Sequence, residues 1–144
     1  MIGLNISPEV TRQVAAHGFD SLAPEQIGQL PPVSCEVDAP YMSFIRRSFG
    51  AHGHGQDRSF IYFCEAQMVW DTAMAWNLLS FHKKNPRHTV VVLAGSGHAW
   101  KRGVPEQVTR QSPSSLRVVL PETRYAVEKT KVTVKDADYL WLGL

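Results

Sequence analysis

Thr89-Val-Val-Val-Leu-Ala94, followed at once by Gly95-Ser-Gly-His98, is the stretch on which the fold class turns. The run is apolar and β-branched, has the length of a buried strand, and is closed by two glycines. In open α/β sheets, ligands gather where the chain leaves the carboxyl end of a strand. His98 sits there, on a loop that Gly95 and Gly97 are expected to bend tightly. Both glycines would also let a ligand approach the backbone closely. A neutral imidazole at this point can ligate iron or another metal, or move a proton near neutral pH. The plainer alternative is a loop histidine satisfied by backbone groups.

Upstream, Arg58 to Lys84 is the longest helical candidate, ended by Asn85-Pro86. Within it Cys64, Gln67, Asp71, Met74 and Leu78 recur at spacings of three and four and so share one face. A carboxylate on a core-facing stripe is costly unless paired or hydrogen-bonded. Asp71 therefore lines a polar cleft with Gln67, or ties down the loop around His98, or sits at the edge of the stripe and reaches water. Trp70 reads as a packing residue. Before this helix, Pro40 to Phe49 puts Tyr41, Phe44, Ile45 and Phe49 on one helical face. A glycine-rich loop with His52 and His54 follows. A structural zinc site needs a closed ligand set, and no matching Cys or His pair lies nearby. That loop is then a surface loop, or a flap over a bound planar ligand. Tyr41 is a core aromatic, or an axial phenolate ligand to haem iron.

The remaining chain alternates helix and strand. Residues 1–6 look like the tail of a strand; Ser7 caps a helix with Pro8 in its first turn, running to His17 and stopping at Gly18. Pro24 to Gln29 is a short helix, and residues 31–40 are a proline-rich connecting segment. After His98, a helix opens at Val104-Pro105-Glu106, a strand covers Leu116 to Leu120, and residues 137–142 form an apolar closing strand. This alternation predicts an α/β protein, a small open sheet with flanking helices, in a single domain across 1–144.

Bulk properties narrow the function. The chain is 44% apolar and 19% charged, ordinary for a soluble globular protein. A net charge of +2, with basic residues paired only at Arg46-Arg47, Lys83-Lys84 and Lys101-Arg102, does not argue for nucleic acid. Two cysteines make no disulfide framework, and Cys64 reads as a buried small hydrophobe. No Cys-x-x-Cys-His occurs, so c-type haem attachment is excluded. No stretch has transmembrane length. The start of the chain shows neither the basic segment nor the apolar run of a secretory signal, so a soluble protein is expected, its compartment open. Phosphate-binding and nucleophile-elbow motifs are absent.

Four blocks in order now carry a specific likeness: Ile2-Gly-Leu-Asn-Ile6; Ala66-Gln67 with Trp70-Asp71-x-x-Met74-Ala75; Val90-Val-Val-Leu-Ala-Gly95-x-Gly97-His98; and Gly103-Val104-Pro105. Together they resemble the ChaN-like haem-binding family, iron-regulated bacterial proteins of the erythromycin-esterase and Tiki superfamily. The resemblance implies an α/β domain and, for the family's best-known lipoprotein member, haem held between two subunits by a tyrosine with an assisting histidine. Tyr41 is the position that could supply that tyrosine. In the wider superfamily a histidine in a glycine-x-x-histidine block belongs to a catalytic or metal site, and His98 matches such a block. Family members also carry a Gly-Glu-x-His block ahead of the Gly-Leu-Asn segment, and this chain begins at that segment. The expectation is therefore the carboxyl-terminal part of a larger ChaN-like domain, or a shortened relative. A sheet lacking one strand would expose an edge and invite a homodimer.

The expected function is a haem- or cofactor-binding protein of bacterial iron uptake or handling, without established catalysis. His98, Tyr41, Gln67, Asp71, His52, His54, Gly95 and Gly97 would form its cofactor site. A metal-dependent hydrolase using a divalent cation on His98 is the second reading, and a degenerate domain acting by protein interaction the third.

Overall fold

In the computed structural model, residues 2–33, 35–48, 58–123 and 127–143 are described. His52, His54 and Phe49 lie outside them. The organising element is α4, Arg58–Lys84. Its apolar residues are spread around the whole circumference, which is the pattern of a helix packed on several sides. Cys64, Ala66–Val69 and Asp71–Ala75 are all buried. Around it stand α1 (Pro8–His17), α2 (Pro24–Gln29), α3 (Ala39–Ser48), the single turn α5 (Ser96–Ala99) and α6 (Val104–Gln111). The expected boundaries of α1, α2 and α4 are met, and α3 begins one residue earlier than expected.

Local chemistry explains these ends. Ser7 Oγ accepts from the Glu9 amide, and Pro8 opens α1 where its missing N–H has no helical partner. Gly18 ends the helix at φ +87°, donating its N–H to the Val14 carbonyl. A Cβ at Gly18 would also stand 2.7 Å from the Tyr62 ring, so glycine is required twice over.

Three apolar clusters share α4. One joins Tyr41, Phe44 and Ile45 of α3 to Cys64, Met68, Trp100, Val118 and Leu120. A second joins Met74 and Ala75 to Val104 and Val108 of α6, with Leu4, Trp70, Ala94 and Leu116 against it. The third sets Val14 and Leu22 on Ala66. Cys64 is fully buried, as a small hydrophobe should be. Two of the basic pairs are engaged at the surface: Arg47 bonds the buried Asp136, and Lys101 lies 2.8 Å from Asp138.

The fold is a small, mostly helical α/β arrangement with a two-stranded open sheet. Strands β1 (Val119–Pro121) and β2 (Tyr139–Trp141) run parallel, Val119 beside Tyr139 and Pro121 beside Trp141. These are shorter cores of the strands expected over 116–120 and 137–142. The deciding run is different. Thr89–Ala94 forms no strand, and among the described residues its backbone makes no hydrogen bond. Val90, Val92 and Ala94 are half-buried while Val91 and Leu93 are 80% and 88% exposed. The alternation is that of an extended chain, but the buried strand expected here is corrected. A strand's hydrogen bonds must come from a neighbour, and no described segment supplies one. Residues 2–6 likewise pair with no strand; Asn77 Nδ2 donates to the Leu4 carbonyl and Trp70 Nε1 to Asn5 Oδ1, so side chains of α4 hold that segment.

Candidate functional site

The polar centre of the molecule is built from three elements. α4 contributes Asp71, whose side chain is 1% exposed. α5 contributes His98, and α3 contributes Tyr41. Asp71 Oδ1 lies 2.6 Å from His98 Nδ1, and Asp71 Oδ2 accepts a 3.3 Å hydrogen bond from the Tyr41 hydroxyl. Of the three fates open to Asp71, tying down the segment around His98 is the one observed. Trp70, on the same helix, sets its ring edge-on to the imidazole with centroids 4.6 Å apart. The imidazole is thereby held by a hydrogen bond on one side and an aromatic wall on another.

Charge follows from burial. Removal from water pushes the Asp71 carboxyl up to about 6, although hydrogen bonds from His98 and Tyr41 oppose that rise. Tyr41 is driven far above the usual phenol range, first by burial and then by the Asp71 charge and hydrogen bond. Its ring is 2% exposed and its hydroxyl is spent on the carboxylate. When His98 is neutral and Asp71 ionised, the ring proton sits on Nδ1, facing the carboxylate, and the lone pair is left on Nε2. No described residue hydrogen-bonds that nitrogen. With 14% of the side chain exposed, His98 is the member of the trio that reaches the surface.

The glycines around His98 act otherwise than expected. Gly95 has φ −57° and ψ 148°, which any residue adopts, and a Cβ there would meet only the His98 ring at 4.0 Å. His98 lies in the helical turn α5 rather than on a glycine-bent loop. Beside His98 the essential glycine is Gly103, which in the sequence stands out only as part of the Gly103-Val104-Pro105 block. A Cβ at Gly103 would stand 2.5 Å from the His98 carbonyl oxygen and 2.9 Å from its carbonyl carbon. Gly103 thus lets the start of α6 close over the backbone that carries the imidazole.

Gln67, one turn before Asp71, is buried. Gln107 was not anticipated. It is 2% exposed, its Oε1 lies 3.5 Å from Thr72 Oγ1, and its Nε2 is buried without a partner among the described residues. In the sequence it is only a glutamine between Glu106 and Val108 on α6, which is no distinguishing signal. A surface pocket of about 330 Å³ between Lys101, Glu106, Ser114 and Asp138 includes none of the trio.

The class of domain is thus a helix-rich α/β fold in which a buried carboxylate holds a surface-reaching imidazole. Within that class the family is settled by sequence: residues 1–108 match the family described as haem-binding uptake, Tiki superfamily, ChaN. That is 108 of 144 residues, and the chain belongs to this family. No curated protein and no solved structure matches it. The match covers the trio, Gly103 and Gln107, all of which precede residue 109.

Proposed function

We propose that this protein binds haem in bacterial iron uptake or handling, with His98 Nε2 as the ligand to iron and the chain acting as one ChaN-like domain. The observation carrying this reading is the trio itself: an imidazole whose Nδ1 is committed to a buried carboxylate and whose Nε2 no described residue hydrogen-bonds. Such carboxylate–histidine pairs orient a ligating ring and raise its basicity. The donor set fits the group, because haem carries most of its iron's ligands itself and the His98 imidazole would supply the protein's. When bound, haem supplies a redox-active iron with an exchangeable axial position. Asp71 fixes the ring tautomer, and Tyr41 fixes Asp71. Tyr41 in this reading serves the site through the carboxylate rather than as a phenolate on iron. Gln67, Gly95 and Gly97 complete the polar end of the site.

Titrating the purified chain with hemin tests this. A saturable Soret shift near one equivalent is expected, and His98→Ala should weaken it at least tenfold. A wild-type protein that shows only non-saturable hemin association overturns the reading.

The His98–Asp71 pair also favours a second reading, since a carboxylate-oriented imidazole is what a general base or a hydrolytic metal site requires. A divalent ion retained through dialysis, and lost in His98→Ala, would support it. A bare cation needs several protein ligands, and the described residues hold no group of three His, Cys, Asp or Glu able to bind one.

The protein is further proposed to be a homodimer that pairs Thr89–Ala94 with the same run of a second copy. Unpaired backbone and outward Val91 and Leu93 support this, because such an edge is a template for another strand. Sedimentation should report a dimer at micromolar concentration, and a strictly monomeric wild type would overturn it.

A further inference from the structure

We infer that the carboxyl-terminal end of α4 and the run that follows it form a peripheral docking surface for an anionic lipid bilayer. This role does not depend on the haem reading.

Two of the three basic pairs are engaged with carboxylates, through Arg47, Lys101 and Arg102. The third, Lys83-Lys84, is not. Lys83, Lys84 and nearby Arg87 are all exposed, and none makes an ion pair among the described residues. The surrounding chain brings no counter-charge either, since no Asp or Glu occurs from Thr72 to Pro105. Cations in the last turn of a helix are favoured by its dipole, which accounts for Lys83 and Lys84. It accounts neither for Arg87, which lies beyond the Asn85-Pro86 stop, nor for so long a stretch without acid.

The same stretch turns apolar side chains to solvent. Val91 is 80% and Leu93 88% exposed, and alternation along an extended chain sets both on one side. Trp76, 38% exposed, stands two turns before Lys83 on the same face of α4. Cations beside outward aliphatic and indole groups match the layers of a bilayer surface. Headgroup phosphates take the charges, the acyl boundary takes Val91 and Leu93, and tryptophan settles between them. A nucleic acid would engage the cations but offers nothing to Val91 and Leu93. No described helix is long and apolar enough to cross a membrane, and the contact proposed is peripheral. Strand pairing with a second copy uses backbone groups and leaves the faces of the run open, so a dimer would carry the surface twice.

Vesicle flotation of the full chain tests this. Wild type should float with phosphatidylcholine vesicles holding about one-third phosphatidylglycerol and should not float with phosphatidylcholine alone. Binding should fall at least tenfold in about 1 M salt, where the screening length is about 3 Å. Each cation near an anionic leaflet is worth about fivefold in partitioning. The triple variant Lys83→Glu, Lys84→Glu, Arg87→Glu should therefore lower it at least tenfold. A scattered reversal, Arg12→Glu, Arg117→Glu, Lys129→Glu, makes the same change of net charge at exposed positions and should lower it less than threefold. Leu93→Ser should cost at least threefold, and Leu93→Phe should not.

A wild type that ignores anionic vesicles overturns the inference. So do equal losses in the two triple variants, which would make the attraction one of net charge alone. Leu93→Ser partitioning as wild type, or displacement of the vesicles by polyuridylic acid at equal phosphate, would reveal a general phosphate binder and overturn the lipid assignment. Should the first triple variant lose its helix by circular dichroism, Arg87→Glu alone decides, with a loss of about fivefold expected and none overturning the inference.

Discussion

The middle of α4 and the run Thr89–Ala94 are comparable in apolarity, yet one is interior and the other largely bare. From Cys64 to Ala75, nearly every residue of α4 is buried. Val91 and Leu93 are among the most exposed large apolar residues described. The difference lies in the backbone. A helix satisfies its own N–H and C=O groups and can be buried wherever its side chains fit. An extended run carries the same groups outward and becomes interior only when neighbouring strands accept them. Hydrophobicity sets the demand for burial, and hydrogen-bond partners decide whether it is met.

Substitutions on the two regions should therefore separate widely. The largest effect belongs to the α4 core: Met68→Ala, at a side chain 1% exposed, should cost about 2–5 kcal/mol in urea denaturation. A cost under about 1 kcal/mol would mean that α4 is not the organising element.

Next is the buried charge. With its carboxyl raised to about 6, Asp71 binds its proton more readily in the folded than in the unfolded chain. Its contribution is most favourable below the unfolded carboxylate range, declines as pH rises through about 6, and is least favourable above that. The shift corresponds to up to about 3 kcal/mol. Denaturation at pH 4.5 and 7.5, taken as the difference between wild type and Asp71→Asn, should show the variant gaining relative stability at the higher pH.

Gly103→Ala comes third. Its new methyl group would press on the His98 backbone, so a loss of about 1–3 kcal/mol is expected, with weakened hemin binding in the same variant. Normal stability and normal Soret titration together would show that α6 does not brace the site.

Leu93→Lys is the smallest. At 88% exposure it should change the stability of the separated chain by no more than about 0.5 kcal/mol. Sedimentation of the same variant should show a monomer. A large loss of stability would erase the contrast between the two regions.

Much of the local structure is legible without coordinates because its causes are local. Ser7, Pro8 and Gly18 bound α1 through caps and a positive φ, and Asn85-Pro86 ends α4 for lack of a donor. The stripe Cys64, Gln67, Asp71, Met74 and Leu78 announces both a core-facing surface and a carboxylate needing a partner. His98 is legible as a candidate, but its partner on the previous helix is a matter of expectation only. Gly95 and Gly103 mark the limit most clearly. Both follow apolar or basic residues and open a helix, and nothing in their flanking residues tells which must be glycine. That is set by how closely α6 approaches the His98 carbonyl.

By itself, then, the amino-acid order determines where the helices begin and end, and that Asp71 cannot sit buried alone. Those follow from periodicity, capping and the cost of desolvating a charge, all of which act within a few residues. Tertiary structure alone decides that Asp71 is shared between Tyr41 and His98, that Gly103 rather than Gly95 must be glycine beside His98, and that Thr89–Ala94 finds no partner strand among the described residues. Each of these depends on which distant backbone or side chain arrives within hydrogen-bonding or van der Waals distance, and no local pattern encodes that arrival.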